Sequence, residues 1–171
     1  MKGNLFKFII AGILLTSLSN AQSSFGKTEL RKTYSIELPD DWQVRSDLIV
    51  DMVAAPKERV KTEHEAALPN IKVVVKDLPD GLDIDQLCDI SQKQWAGQWK
   101  VESDKKVKSG KTPTRRLVLI QDLGILKTKV LKAFASANGK YYIVSCSDKL
   151  ADFDNSLGQF EKMLDSIELK K

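Results

Sequence analysis

The sequence is poor in the residues that most enzymatic chemistry needs. Its 171 residues include one histidine and two cysteines, and they contain neither a Gly-x-Ser-x-Gly turn nor a glycine-rich dinucleotide-binding pattern. A serine or cysteine nucleophile depends on a neighbouring base, which is most often a histidine. The sequence offers no cluster of metal ligands either. It therefore predicts a protein that is not an enzyme and that holds no cofactor and no metal.

The one histidine, His64, lies between two glutamates in a charged stretch from Ala55 to Pro69. Loops of this length are uncommon in compact domains and are often functional, so His64 and its loop are a candidate binding surface. A metal site would need further ligands nearby, and the neighbouring sequence has no second histidine or cysteine. A solvated histidine is the simpler interpretation. An enzyme that uses His64 with scattered acids is a hypothesis that no motif supports.

The sequence also lacks an apolar run of the about 20 residues that cross a bilayer. Its run from Phe8 to Leu18 follows two lysines and precedes Ser19-Asn20-Ala21, with small residues at the −3 and −1 positions of a cleavage site. These are the three parts of a secretory signal peptide. We expect a bacterial protein that is exported to the periplasm or secreted and that keeps no membrane span. The expected segments are a signal peptide at 1–21, a short linker at 22–29 and a single domain at 30–171.

Basic residues are concentrated in one part of the sequence. Residues 100–132 contain ten lysines or arginines and three acidic residues, a net charge of +7. Such a stretch either attracts an anionic envelope component or consists of solvated strands whose lysines prevent edge-to-edge pairing, and the second interpretation is the simpler. The candidate binding-surface residues in this stretch are Lys105, Lys106, Lys108, Lys111, Arg115, Lys127 and Lys129. No nucleic-acid-binding motif accompanies them.

The two cysteines allow one disulfide. Cys88 falls in a predicted helix and Cys146 in a predicted strand. Export would place the chain where a Cys88–Cys146 bond persists. The alternative is a pair of separately buried thiols, because a helix side chain and a strand side chain meet only if the register suits. The sequence leaves both alternatives open.

Two segments have the periodicity of helices that bury one face. Asp83 and Gln86 form a capping-box pair at the start of the first segment. Its apolar positions are Ile84, Cys88, Ser91, Trp95 and Trp99. In the second segment, apolar residues recur at steps of three and four. They are Leu150, Phe153, Leu157, Phe160, Leu164 and Ile167.

Eight segments have the composition of β-strands. They are residues 33–38, 42–44, 47–54, 70–76, 99–107, 115–121, 125–135 and 140–147. Between the last two strands stands Asn138-Gly139, a pair that favours a two-residue hairpin turn because both residues tolerate positive φ. Four strands therefore precede the first helix, and a hairpin precedes the second.

The order of these elements resembles a known family over Leu30 to Leu169. The residues that carry the resemblance are Leu38-Pro39-Asp40-Asp41-Trp42, Asn70-Ile71-Lys72-Val73-Val74, Gly139-Lys140-Tyr141-Tyr142-Ile143-Val144, Phe160, Leu164, Ser166 and Ile167. The pattern resembles the PsbP-like superfamily, which includes the photosystem II oxygen-evolving accessory protein, periplasmic proteins of the DcrB type and a Ran-binding nuclear import factor. The resemblance implies an α+β fold, a mostly antiparallel sheet of about six to eight strands flanked by two main helices.

Members of one fold perform unrelated tasks, so the resemblance predicts function only broadly. The first hypothesis is an exported, non-enzymatic accessory or binding protein of the cell envelope, whose partner is a protein or another envelope component. The second is a small-ligand carrier, in which Trp95, Trp99 or Trp42 would line a pocket between a helix and the sheet.

Overall fold

The structure is a computed structural model that describes residues 24–45, 47–59, 68–109, 112–122, 124 and 126–170. The predicted signal peptide, His64 and Lys111 lie outside these residues. The strands are β1 (Phe25–Leu30), β2 (Tyr34–Pro39), β3 (Trp42–Arg45), β4 (Met52–Pro56), β5 (Asn70–Asp77), β6 (Trp99–Ser109), β7 (Thr112–Asp122), β8 (Lys127–Ala137), β9 (Lys140–Lys149) and β10 (Glu168–Leu169). The helices are α1 (Ile84–Trp95) and α2 (Phe153–Asp165). A further helical segment begins at residue 57 and is described through residue 59.

The strands form two antiparallel sheets. The large sheet has seven strands in the order β3-β4-β5-β9-β8-β7-β6, and the small sheet has the order β1-β2-β10. The predicted hairpin joins β8 to β9, and both of its turn residues have positive φ, 52° at Asn138 and 69° at Gly139. The α+β prediction is confirmed for the large sheet. The second sheet and the third helical segment were not predicted.

The two helices pack on opposite faces of the large sheet. Side chains alternate along each strand, so neighbouring residues point to different faces. The face under α2 holds the larger core, and its fully buried members include Trp42, Ile71, Cys146, Phe160 and Leu164. The face under α1 holds a smaller core made of Cys88, Leu117, Leu119 and Phe134. Each helix therefore covers its own apolar cluster.

The start of α1 was predicted correctly, and the sequence left its end open. Asp83 accepts a hydrogen bond from the backbone N–H of Gln86, whose side chain accepts one from the N–H of Asp83, which makes a complete capping box. The helix ends at Trp95, because Gly97 has a φ of 89° and reverses the chain. Trp99, which fitted both the helical spacing and the strand predicted at 99–107, begins β6.

Three further segments differ from the sequence predictions. Residues 22–29 were expected to be a linker, yet β1 begins at Phe25 and pairs with β2. The strand predicted at 47–54 begins only at Met52, after a bend. Leu150 precedes α2 and is exposed, whereas Met163 is buried in the stripe that α2 presents to the sheet.

The two cysteines are separate, buried thiols. Cys88 belongs to the core under α1 and Cys146 to the core under α2, so the large sheet lies between them. Burial raises the pKa of the Cys88 thiol to about 11 and raises the pKa of Cys146 further. Of the two alternatives that the sequence left open, the structure shows the separately buried thiols. Cys88 and Cys146 form no disulfide.

We expect the purified protein, denatured without reductant, to take up two equivalents of iodoacetamide. In the native state the same reagent should react slowly, because both thiols are inaccessible and protonated at neutral pH. Mass spectrometry after alkylation measures both results. Denatured protein that takes up no reagent until it is reduced would contradict the structure.

Candidate functional site: a lysine between two tryptophans

The register of the large sheet aligns polar residues on the face that carries α1. Lys132 of β8 is paired with Ser145 of β9, and Ser145 is paired on its other side with Lys72 of β5. Directly paired residues of neighbouring strands project from the same face. Lys132, Ser145 and Lys72, which we name the cationic row, therefore lie side by side. Lys72 is exposed, and the other two residues are partly buried.

Lys132 occupies the end of the cationic row that is next to α1. Its Nζ lies 4.1 Å from the centroid of the Trp95 ring and 5.4 Å from that of Trp99. The two tryptophan rings are 6.3 Å apart, and Trp95 also packs on Phe134 at 6.2 Å. An ammonium over an indole face is attracted by the ring quadrupole. We name Trp95, Trp99 and Lys132 the lysine–tryptophan site.

The charge of Lys132 has little electrostatic compensation. Burial lowers the pKa of its ammonium to about 8, and the positive charge of Lys72 lowers it further, while Cys88 acts in the opposite direction. Within the described ranges, no carboxylate forms an ion pair with Lys132; its contacts are the two indole rings. Strongly perturbed groups beside aromatic side chains often belong to functional sites.

The predicted surface residue Arg115 lies nearby, but it is already paired. Its Nη2 donates to Asp104 at 2.6 Å and its Nη1 donates to Asp89 at 2.6 Å. The Arg115 side chain is only 14% exposed. Its hydrogen bond to Asp104 is the main reason that the pKa of that carboxyl lies below the usual value. Lys106 pairs with Asp85 at 2.6 Å, so this part of the basic stretch holds α1 to β6 and β7.

The other predicted lysines do not converge on one surface. Lys127 pairs with Asp122 at 2.8 Å, and Lys129 pairs with Glu102 at 3.1 Å. Lys105 and Lys108 are exposed but differ by three positions along β6, so they project from opposite faces. His64 and Lys111 lie outside the described residues. The basic stretch is thus distributed over both faces of the sheet, and acidic partners occupy Lys106, Arg115, Arg116, Lys127 and Lys129 among its described members.

A second exposed feature is the loop between β3 and β4. Leu48 and Ile49 have relative exposures of 105% and 88%, and we name this pair the apolar tip. The Asp47 carboxylate accepts hydrogen bonds from the N–H groups of Ile49, at 2.7 Å, and Val50, at 3.1 Å. These bonds are the main cause of the lowered pKa of Asp47, to which Lys72 also contributes. The tip therefore lies near the Lys72 end of the cationic row.

Comparison with known proteins bears on the fold. No family model matches the sequence, and no curated protein matches it. The solution structure of cyanobacterial PsbP (CyanoP) from Synechocystis aligns with a TM-score of 0.63 at 12% identity, over 93% of this chain and 100% of that chain. LpqN of Mycobacterium tuberculosis aligns with a TM-score of 0.64 at 8% identity, over 81% and 83% of the two chains.

A third solved structure is Mog1p of Saccharomyces cerevisiae, with a TM-score of 0.58 at 12% identity over 86% of this chain and 96% of that chain. The chain has the PsbP-like fold. These alignments confirm the fold that the sequence resemblance implied. Identities of 8–12% show the fold alone, so the residues of the site carry any argument about what this PsbP-like protein binds.

The described part of this PsbP-like protein contains no helix that is long and apolar enough to cross a membrane. It also brings together no group of three or more histidine, cysteine or acidic side chains suited to a metal ion. A small cavity of about 20 Å³ lies under β10, enough for about one water molecule. Its lining residues are Thr112, Thr114, Ala133, Ala135, Tyr142, Val144, Ile167 and Leu169. None of the three tryptophans borders it.

Sequence reasoning missed the residues that form the cationic row. Lys132 was counted within the basic stretch but was not chosen as a candidate, and Lys72 and Ser145 were read as parts of strands. The tryptophans were correctly singled out, but their roles differ. Trp42 is fully buried in the core under α2, whereas Trp95 and Trp99 hold Lys132 on the other face. One feature could have pointed to the site: Lys132 is a lysine in a strand that is otherwise buried, and it lies opposite Trp95 and Trp99.

Proposed function

We propose that this PsbP-like protein is an exported, non-enzymatic accessory protein of the cell envelope that docks on a protein partner through the apolar tip. The observation that carries the proposal is the exposure of Leu48 and Ile49 at a turn ordered by Asp47. Single exposed aliphatic residues are common on protein surfaces. Two adjacent ones at an ordered turn form a small apolar patch that a partner can bury.

The energetics of the tip favour docking. Fully burying one leucine or isoleucine side chain stabilises a complex by about 1.5–3 kcal/mol. Because the turn is already ordered by the hydrogen bonds to Asp47, little backbone entropy is lost on binding. Asp47 also holds both side chains away from the core, so the partner does not compete with intramolecular packing.

The neighbours in fold space support a binding role. Mog1p is described as a Ran-binding protein, and LpqN as a protein involved in cell envelope biogenesis. The N-terminal segment of this chain has the three parts of a secretory signal. A partner in the envelope accounts for these observations together.

We expect the double variant Leu48→Ser, Ile49→Ser to capture at least tenfold less of its partner than the wild-type protein does, because the two apolar anchors are lost. Purified protein immobilised on beads and incubated with envelope extract provides the measurement, with the bound partner quantified by mass spectrometry. Leu30→Ser is the matched control, since Leu30 is 70% exposed on β1 and lies outside the loop that carries the tip. Equal capture by the double variant and the wild type would refute docking through the tip.

These substitutions are informative because they do not threaten the fold. Exposed side chains contribute little to the free energy of unfolding, usually within about 0.5 kcal/mol. Circular dichroism and thermal unfolding of the three proteins should therefore coincide. A loss of capture with unchanged unfolding separates a docking role from a structural one.

A further inference from the structure

Two cations beside α1, Arg115 and Lys106, already have acidic partners, and Lys132 has none among the described residues. Arg115 and Lys106 are both bound to carboxylates of α1 or β6, whereas Lys132 contacts only indole rings among the described side chains. Lys72, two strands away on the same face, is exposed and forms no ion pair with the described acids. The cationic row therefore presents two positive charges with a serine hydroxyl between them.

We propose that the cationic row binds an acidic segment of a protein partner, with one carboxylate seated on Lys132 beside Trp95 and Trp99. This inference rests on the proposed docking function and names the chemistry that the partner presents beside the apolar tip. The second carboxylate of the segment pairs with Lys72, and the hydroxyl of Ser145 donates a hydrogen bond between the two. The segment lies across β8, β9 and β5.

Desolvation explains why a carboxylate is the preferred group at Lys132. A partly buried ammonium has lost much of its hydration. The indole rings compensate for the lost water only on the side of the ammonium that faces them. An incoming carboxylate forms a charge-assisted hydrogen bond of about 2.7–2.9 Å, which is about twice as strong as a neutral one. The Lys132 ammonium already loses this hydration when the protein folds. Binding of the carboxylate therefore does not include the desolvation free energy of the lysine.

The shape of the surface favours binding of an extended peptide over binding of a membrane. A helix packed on a sheet is about 10 Å thick, so α1 stands above the strands and Lys132 lies in the corner beside it. A flat lipid surface that rests on α1 cannot reach this corner. An extended peptide can enter it, because its side chains project alternately from a narrow backbone.

The spacing of Lys132 and Lys72 favours binding of separate carboxylates over binding of a continuous polyphosphate chain. Lys132 and Lys72 belong to strands that flank β9, so their Cα atoms are about 10 Å apart. Glutamates two positions apart in an extended segment project from the same side with Cα atoms about 6.6 Å apart, and their flexible side chains can span the remaining distance. Acidic residues lie beyond both ends of the row, at Asp47 and in the Asp104–Arg115 cluster. A nucleic acid backbone that continues past the two lysines would meet these carboxylates and be repelled.

The test is a titration with synthetic peptides. The probe is a blocked octapeptide of serines with glutamates at its fourth and sixth positions, and its control replaces both glutamates with glutamine. Isothermal titration calorimetry measures affinity, and tryptophan fluorescence reports on Trp95 and Trp99. We expect saturable binding of the glutamate peptide alone, a loss of at least tenfold in Lys132→Met, and weakening with added salt. Lys127→Met, which removes a lysine paired with Asp122, should bind as the wild type does.

Three results would overturn the inference. They are equal binding of the two peptides, retained affinity in Lys132→Met, and tighter Lys132-dependent binding of an oligonucleotide or of anionic phosphatidylglycerol vesicles than of the glutamate peptide. The tip variant Leu48→Ser, Ile49→Ser separates this inference from the proposed function. If the peptides fail but the tip variant still loses its partner, only the cationic row is misassigned. If peptide binding holds but partner capture does not depend on the tip, the docking proposal fails instead.

Discussion

Replacement of Phe160 by alanine is expected to lower the free energy of unfolding by about 3–5 kcal/mol. Phe160 is 0% exposed in the core under α2, and its ring centroid lies 5.7 Å from that of Phe153. The substitution removes an aromatic ring from a place where α2 meets the sheet and leaves a cavity that the neighbouring strands cannot close. For a chain of this size the melting temperature should fall by about 6–20 °C.

Urea denaturation followed by circular dichroism measures this effect. Leu30→Ala is the control, because its exposed side chain on β1 should change the stability by at most about 0.5 kcal/mol. A loss of less than about 1 kcal/mol for Phe160→Ala would mean that α2 does not anchor the core as the structure has it.

Replacement of Lys132 by methionine is expected to stabilise the protein by about 1–3 kcal/mol at pH 7. Methionine keeps the apolar stem that packs on the tryptophans and removes a charge whose burial is unfavourable. The attraction between the ammonium and the indole rings offsets part of that cost, which keeps the gain below the full value implied by the pKa. A functional residue that reduces stability is a common trade-off in binding sites.

The pH dependence of the stability gain in Lys132→Met distinguishes the removal of a buried charge from an improvement in packing. The folded-state pKa of Lys132, about 8, lies below its usual value of 10.5. Between these values the folded state binds fewer protons than the unfolded state, so the wild-type protein gains stability as the pH rises. The titratable neighbours are Lys72 from β5 and the Cys88 thiol from α1, and Arg115 of β7 stays paired with its acids.

The advantage of Lys132→Met should therefore be largest below pH 8 and vanish near pH 10.5. Guanidinium unfolding of the variant and the wild type across this range gives the difference directly, and Lys127→Met controls for the general loss of a lysine. A difference that is constant with pH would assign the gain to packing. A destabilised variant at pH 7 would contradict an uncompensated charge at this position.

The sequence predicts those elements of the fold that depend on local chemistry. Asn138-Gly139 specifies its turn because both residues adopt positive φ, and Asp83 with Gln86 specifies the start of α1 because their side chains satisfy its first N–H groups. The end of α1 is harder to predict. Trp99 continues the helical spacing of the preceding residues and also begins the strand predicted at 99–107, and the turn at Gly97 decides between the two.

The apolar run at 47–54 shows how composition misleads. Its leucine, isoleucine and valines favour a strand, but the Asp47 side chain binds the next backbone N–H groups and turns the chain first. The cationic row was beyond sequence reasoning for another reason. Lys72, Lys132 and Ser145 are far apart in the chain, and only the register of β5, β9 and β8 brings them together.

The pairing of β10 with β2 has a consequence for the time course of folding. The small sheet joins Tyr34 to Leu169, and the N–H of Lys170 donates to the carbonyl of Thr33, so its strands come from opposite ends of the described chain. Contacts between such distant residues form slowly because a long loop must close first. The β1–β2 hairpin therefore waits, with its apolar face uncovered, until α2 and β10 have emerged. During synthesis, the small sheet therefore stays open until its last strand is available.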